Sequence, residues 1–198
     1  METVRTLGDY VDYYKIGMQL FYREGPAIVH TLKNDFHKKI FLDLKINDIP
    51  NTVEHAVKSL SSLGVDMMTL FTSGDGVVAA KRSAPTSLAV LNVTVLTSQA
   101  DEGNTAGDVE KRTSLSLDHG ADGIVCSGLE TKSLRQKFGR DFLIVNPGIR
   151  MESLGDDQQR TVTPRMAMEN GASYIVVGRP VTADPNPRQA AIRILDSL

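Results

Sequence analysis

The stretch Ile40-Phe41-Leu42-Asp43-Leu44-Lys45-Ile46-Asn47-Asp48-Ile49-Pro50-Asn51-Thr52 decides how this chain is read. Its apolar opening, Ile40-Phe41-Leu42, has the character of a buried strand. Strand side chains alternate with period two, which sends Asp43 and Lys45 to one side and Leu42, Leu44 and Ile46 to the other. Pro50 sits where a helix can begin, because its fixed φ and missing N–H suit a first turn, and Asp48 is placed to cap that helix. Asp43, Lys45 and Asp48 crowd the end of a strand that otherwise reads as core, and buried charge is costly unless paired. A lysine between two carboxylates stays protonated, so Lys45 is a candidate proton donor.

Working outward, Val53, Ala56, Val57, Leu60 and Leu63 fall at helical spacing, and Gly64 closes the helix. On the amino-terminal side, residues 2–7 read as a helix tail stopped at Gly8. A strand over 11–17 carries Lys15, and 21–34 is helical in pattern. The strand-helix unit then recurs. Strands are expected over 66–71, 88–96, 123–126, 142–146 and 174–177. Helical stretches lie between them: one to Ser83, one ending at Gly120 after the polar loop 101–104, and two over 130–138 and 164–170. Leu63-Gly64-Val65-Asp66, His119-Gly120-Ala121-Asp122 and Asn170-Gly171-Ala172-Ser173 resemble one another. Each sets a helix-stopping glycine before an apolar strand, the punctuation of alternating helix and parallel strand. With the strand at 38–45 the count is seven. The expectation is an α/β fold, a (β/α)₈ TIM barrel forming one domain over residues 1–198, with its first strand missing from this chain. An open doubly wound sheet is the rival architecture.

The chain has 198 residues and a formal charge of −2, which offers no basic field to draw nucleic acid. Its start lacks the apolar segment of a signal peptide, and no run approaches the roughly 18 apolar residues of a membrane span. A soluble, cytoplasmic protein is expected, with no nucleic-acid or membrane partner. The single cysteine, Cys126, reads as a core residue. His30, His37, His55 and His119 lack metal-ligand spacing. Asp43 and Asp48 are of a type to hold a divalent ion, but Lys45 between them repels one, so no metal is expected.

In barrels of this kind phosphate often sits at the loops after the last two strands. Asn146-Pro147-Gly148-Ile149-Arg150 and Gly178-Arg179-Pro180 follow those strands and offer close backbone approach and forked donors. Between them residues 151–163 form a polar loop long enough for a lid, from which Gln158 or Gln159 can close over the anion.

These residues resemble the orotidine 5'-phosphate decarboxylase family of the bacterial type. The likeness rests on residues 43–52, on Tyr14-Lys15-Ile16-Gly17, Val93-Thr94-Val95-Leu96-Thr97-Ser98 and Pro147-Gly148-Ile149-Arg150, and on Val176-Val177-Gly178-Arg179-Pro180. The Asp-x-Lys-x-x-Asp core is shared with related sugar-phosphate decarboxylases; the Ile-Pro-Asn-Thr continuation is more specific. The resemblance implies decarboxylation of orotidine 5'-phosphate to uridine 5'-phosphate without cofactor. Lys15, Asp43, Lys45 and Asp48 would form the catalytic network, with Asp48 and Thr52 reaching into the partner's site of a homodimer. Thr97 and Pro147 would lie beside the pyrimidine, and Gln158, Gly178 and Arg179 would hold the phosphate. In departure from the family pattern, Asn146 replaces a usual threonine, Phe71 a common histidine, and the first strand's ribose-contacting aspartate has no counterpart. The alternatives are a metal-dependent sugar-phosphate decarboxylase or aldolase, and a nucleotide-binding protein without catalysis.

Overall fold

The computed structural model describes residues 1–96, 105–151 and 160–198. In chain order the elements are α1 (Glu2–Leu7), a 3₁₀ turn, β1 (Tyr13–Gly17), α2 (Met18–Glu24), α3 (Ala27–His30) with a π-helical turn over Thr31–Asp35, β2 (Lys39–Ile46), α4 (Pro50–Ser61), β3 (Met67–Leu70), α5 (Gly74–Ser83) and β4 (Ala89–Val93). They continue with α6 (Thr105–Asp118), β5 (Gly123–Val125), α7 (Gly128–Phe138), β6 (Leu143–Asn146), α8 (Pro164–Glu169), β7 (Tyr174–Ile175), α9 (Arg179–Thr182) and α10 (Pro187–Asp196). The seven strands stand in a sheet in chain order. Every expected strand forms, most of them a residue or two shorter than read.

The chain gathers into two compact units. Residues 12–93 and 112–124 hold β1 to β4, paired in parallel, with Ile16 opposite Leu42 and Met68 opposite Val90. Ile40, Phe41 and Leu42 are all buried, as a parallel strand covered on both faces requires. Val53 and Val57, one turn apart on α4, are fully buried, and each contributes about 1.5–3 kcal/mol of transfer free energy. The other unit, residues 1–11, 94–111 and 125–198, holds β6 paired with β7 and α1 packed on α10. Ile149, Val162, Ala167 and Ala172 form a core cluster there.

The three similar tetrapeptides turn out to be one device used three times. Gly64, Gly120 and Gly171 stop their helices at φ of 72°, 87° and 102°, where a side chain is strained. Two residues on, Asp66, Asp122 and Ser173 each bond back to the start of the preceding strand. Asp66 accepts from Ile40 N at 2.7 Å, Asp122 from Val90 N at 2.8 Å and Ser173 Oγ from Ile144 N at 3.1 Å. A basic residue from the helical segment before that strand secures each one: Lys33 at 3.0 Å, Lys81 at 2.6 Å and Arg135 at 3.1 Å. Every second strand is thereby pinned at its amino end, the face of a barrel associated with stability. Asp66→Ala strands a buried amide and a lysine, and is expected to cost about 1.5–3 kcal/mol, against about 0.5–1.5 for the neutral Ser173→Ala. Urea midpoints of the two variants check the order.

The helix read over 21–34 is broken. Gly25 ends α2 and Pro26, which lacks an amide hydrogen, starts the next segment. The sequence reading assigns no helix beyond Val177, yet α9 and α10 form there. Asn186 caps α10 by accepting from Gln189 N and Ala190, Ala191 and Ile194 are buried. Among the described residues no helix is long and apolar enough to cross a membrane.

Candidate functional site

β2 is regular as far as Leu42 and then departs from its pairing with β3. The register shifts between Leu42 and Ile46, and Lys45 takes φ of 50°, a left-handed conformation that costs a non-glycine residue about 1–3 kcal/mol. The regular strand expected over 42–46 is therefore interrupted in its pairing with β3. Asp43 and Lys45 still meet across this irregular segment.

Asp43 is the centre of the site. Its Oδ1 accepts from Lys45 Nζ at 2.8 Å and from Thr69 Oγ1 at 2.9 Å, while Lys15 Nζ lies 3.2 Å from Oδ2. The Asp43 side chain is 14% exposed, and those of Lys45 and Lys15 are 29% and 36% exposed. Burial alone would raise the Asp43 carboxyl; Lys15, together with the hydrogen bonds from Lys45 and Thr69, overcomes that and leaves it below the usual carboxylate value. Thr69 was not singled out from the sequence. The available signal was a lone hydroxyl in the apolar strand Met67-Met68-Thr69-Leu70.

Asp48 and Thr52 are not brought into this cluster. Residues 47–52 are exposed throughout, with Ile49 66% exposed. The helix starts at Pro50 as expected, but Ile49 is its N-cap, and Asp48 Oδ1 accepts instead from Ile49 N at 2.7 Å. The aspartate sits one residue too early to reach the first-turn amides.

In the other unit, β6 and β7 run side by side, with Asn146 opposite Ile175 and Val176 N donating to Asn146 O. Pro147 follows the first strand, half-buried, and Gly178 and Arg179 follow the second, both exposed, with Gly178 as N-cap of α9. Arg150 is folded into its own loop, 5% exposed and donating to Ile149 O. Asn146 is fully buried, its amide bonded to Cys126 O and Thr131 Oγ1 at 2.9 and 3.0 Å. Cys126 is a core residue, and burial pushes its thiol up to about 12. Glu130 is buried against Arg160. Thr97 and Gln158 lie outside the described residues. His30, His37 and His55 are exposed and His119 bonds Leu115 O through Nδ1; no group of three or more candidate metal ligands gathers among the described residues.

Charge collected at the carboxyl ends of parallel strands is how (β/α)₈ enzymes are built for chemistry, and that is the class this fold and this cluster define. Within it the chain belongs to the Orotidine 5'-phosphate decarboxylase / HUMPS family, whose model matches residues 1–194. It is 43% identical over 197 residues to an orotidine 5'-phosphate decarboxylase of Bacillus cereus, spanning 90% of this chain and 82% of the relative. It is 40% identical over 219 residues to that of Carboxydothermus hydrogenoformans, spanning 100% and 90%. The crystal structure of orotidine 5'-phosphate decarboxylase from Lactobacillus acidophilus superposes with a TM-score of 0.83 at 36% identity, covering 99% of this chain and 91% of that one.

Proposed function

We propose that this chain decarboxylates orotidine 5'-phosphate to uridine 5'-phosphate in the de novo synthesis of pyrimidines. The observation that carries the reading is one carboxylate, Asp43, held between the ammonium groups of Lys45 and Lys15 at 2.8 and 3.2 Å. When the C6–carboxylate bond breaks, carbon dioxide leaves and the electron pair stays on C6, where no adjacent ring carbonyl spreads it. A preorganised cation meets that need, because it acts on charge that exists only as the bond breaks. Lys45 stabilises the C6 carbanion and then donates its proton to it; Asp43 crowds the substrate carboxylate and Lys15 keeps Asp43 ionised.

The same reading treats residues 1–198 as one barrel domain and assigns Pro147 and Thr97 to the pyrimidine and Gln158, Gly178 and Arg179 to the phosphate. Asp48 and Thr52 complete the site of a partner in a homodimer, which suits the exposure of residues 47–52. The enzyme works in the cytoplasm and uses no cofactor.

Adding the protein to orotidine 5'-phosphate should bleach the orotate absorbance and release one carbon dioxide per nucleotide, at the same rate with and without a chelator. Loss of turnover in chelator would point to a metal-dependent sugar-phosphate enzyme. Nucleotide binding without carbon dioxide release would leave a binding protein.

A further inference from the structure

We infer that Thr69 is a positioning residue for Lys45, its hydroxyl closing a ring that fixes both ends of the lysine. Oγ1 accepts from Lys45 N at 2.9 Å and donates to Asp43 Oδ1 at 2.9 Å, and that same oxygen accepts from Lys45 Nζ at 2.8 Å. Main chain, hydroxyl, carboxylate and ammonium thus form a closed circuit. Thr69 is fully buried, and a buried threonine in a strand ordinarily satisfies its hydroxyl on a nearby carbonyl. Here it is spent on two atoms that decide where the ammonium sits.

The need for such a tie follows from the backbone. Lys45 lies past the register shift, at φ of 50°, where β2 no longer runs in step with β3. Strained conformations persist only where their surroundings over-determine them. The Thr69 hydroxyl offers the Lys45 amide a partner reached across the strand pair, and β3 holds it there through Met68, which is paired with Leu42. Among the described residues, the charged groups facing Asp43 are Lys15 from β1 and Lys45 from β2. Thr69 is the neutral third partner, able to orient the carboxylate without altering the charge count.

The inference rests on the reading proposed above, and its test separates the two. Thr69→Val removes the hydroxyl at nearly constant volume. It leaves the Lys45 amide unpaired and is expected to lower kcat roughly 10- to 100-fold while KM stays within about threefold. Thr69→Ser restores the hydroxyl and should recover kcat to within about threefold. In wild type and Thr69→Val alike, amide hydrogen exchange at Lys45 reads the tie without any substrate. It should quicken in the variant while Ile40 to Leu42 keep their protection. Unchanged kcat in Thr69→Val, failure of serine to rescue, or unchanged Lys45 exchange overturns the inference. If valine disturbs the strand, Thr69→Ala is read by the same three measures. A wild-type protein that releases no carbon dioxide sinks the functional reading instead, and the exchange experiment still decides the role of Thr69.

Discussion

Lys45→Ala is expected to lower kcat by about 10⁴- to 10⁷-fold, the product, on the proposed reading, of a lost general acid and a lost electrostatic partner for the carbanion. Binding of uridine 5'-phosphate stays within about tenfold, because the phosphate contacts assigned to Gly178 and Arg179 do not involve the lysine. Lys45→Arg separates the two contributions. Arginine keeps the positive charge but holds its proton too tightly to give it up, so a variant with most of its activity back would show that charge alone suffices. A loss as deep as that of alanine would show that proton delivery from a correctly placed amine is the limiting function. Either variant is measured for carbon dioxide release and for urea stability together. Asp43 keeps Lys15 and Thr69 as partners in both, so the fold should survive. Near-normal turnover in Lys45→Ala would end the mechanism.

Much of this architecture is legible in the sequence. Parallel strands buried on both faces write themselves as short apolar runs, and Ile40-Phe41-Leu42 and Met67 to Leu70 are such runs. The glycines at 64, 120 and 171 mark where helices stop. What the repeated tetrapeptides did not disclose was their partner atoms: that Asp66 serves Ile40 N, and Asp122 serves Val90 N, depends on which strands lie side by side. The carboxyl-terminal helix Pro187–Asp196 did carry a signal, an asparagine cap followed by proline and by apolar residues at helical spacing.

The site divides in the same way. That Asp43 and Lys45 belong together follows from their spacing, and the structure brings them to 2.8 Å. How they come together does not follow, because a shift of register answers to the neighbouring strand rather than to local sequence. Thr69, far along the chain, supplies that answer. Alternation along β2 therefore marks the pair, while Thr69 on β3, which holds the Lys45 amide, leaves no trace in the residues around that pair. Asp48 and Thr52 raise the opposite problem. Their residue types suggest a site, but within one chain both are exposed and apart from the Asp43 cluster.

On the proposed reading the exposed turn around Asp48 belongs to the active site of a second copy, and that is open to a test whose outcome is large. Lys45→Ala and Asp48→Asn are each expected to be nearly inactive alone. If each site draws Lys45 from one subunit and Asp48 from the other, a mixed dimer holds one site with both lesions and one with neither. Random reassortment of equal amounts makes about half the dimers mixed, so about a quarter of wild-type activity should appear on co-refolding. Should Asp48 serve the site of its own chain, every site in the mixture carries one lesion and no activity appears. The gain from two inactive parents exceeds any artefact of partial refolding, which can only subtract. The Ile49 side chain, 66% exposed between the two assigned residues, is an apolar surface that a second subunit would cover, so Ile49→Asp should weaken the dimer in sedimentation. Activity should then fall with dilution far more steeply than in wild type, because a monomer retains Lys45 yet lacks the carboxylate that arrives from its partner.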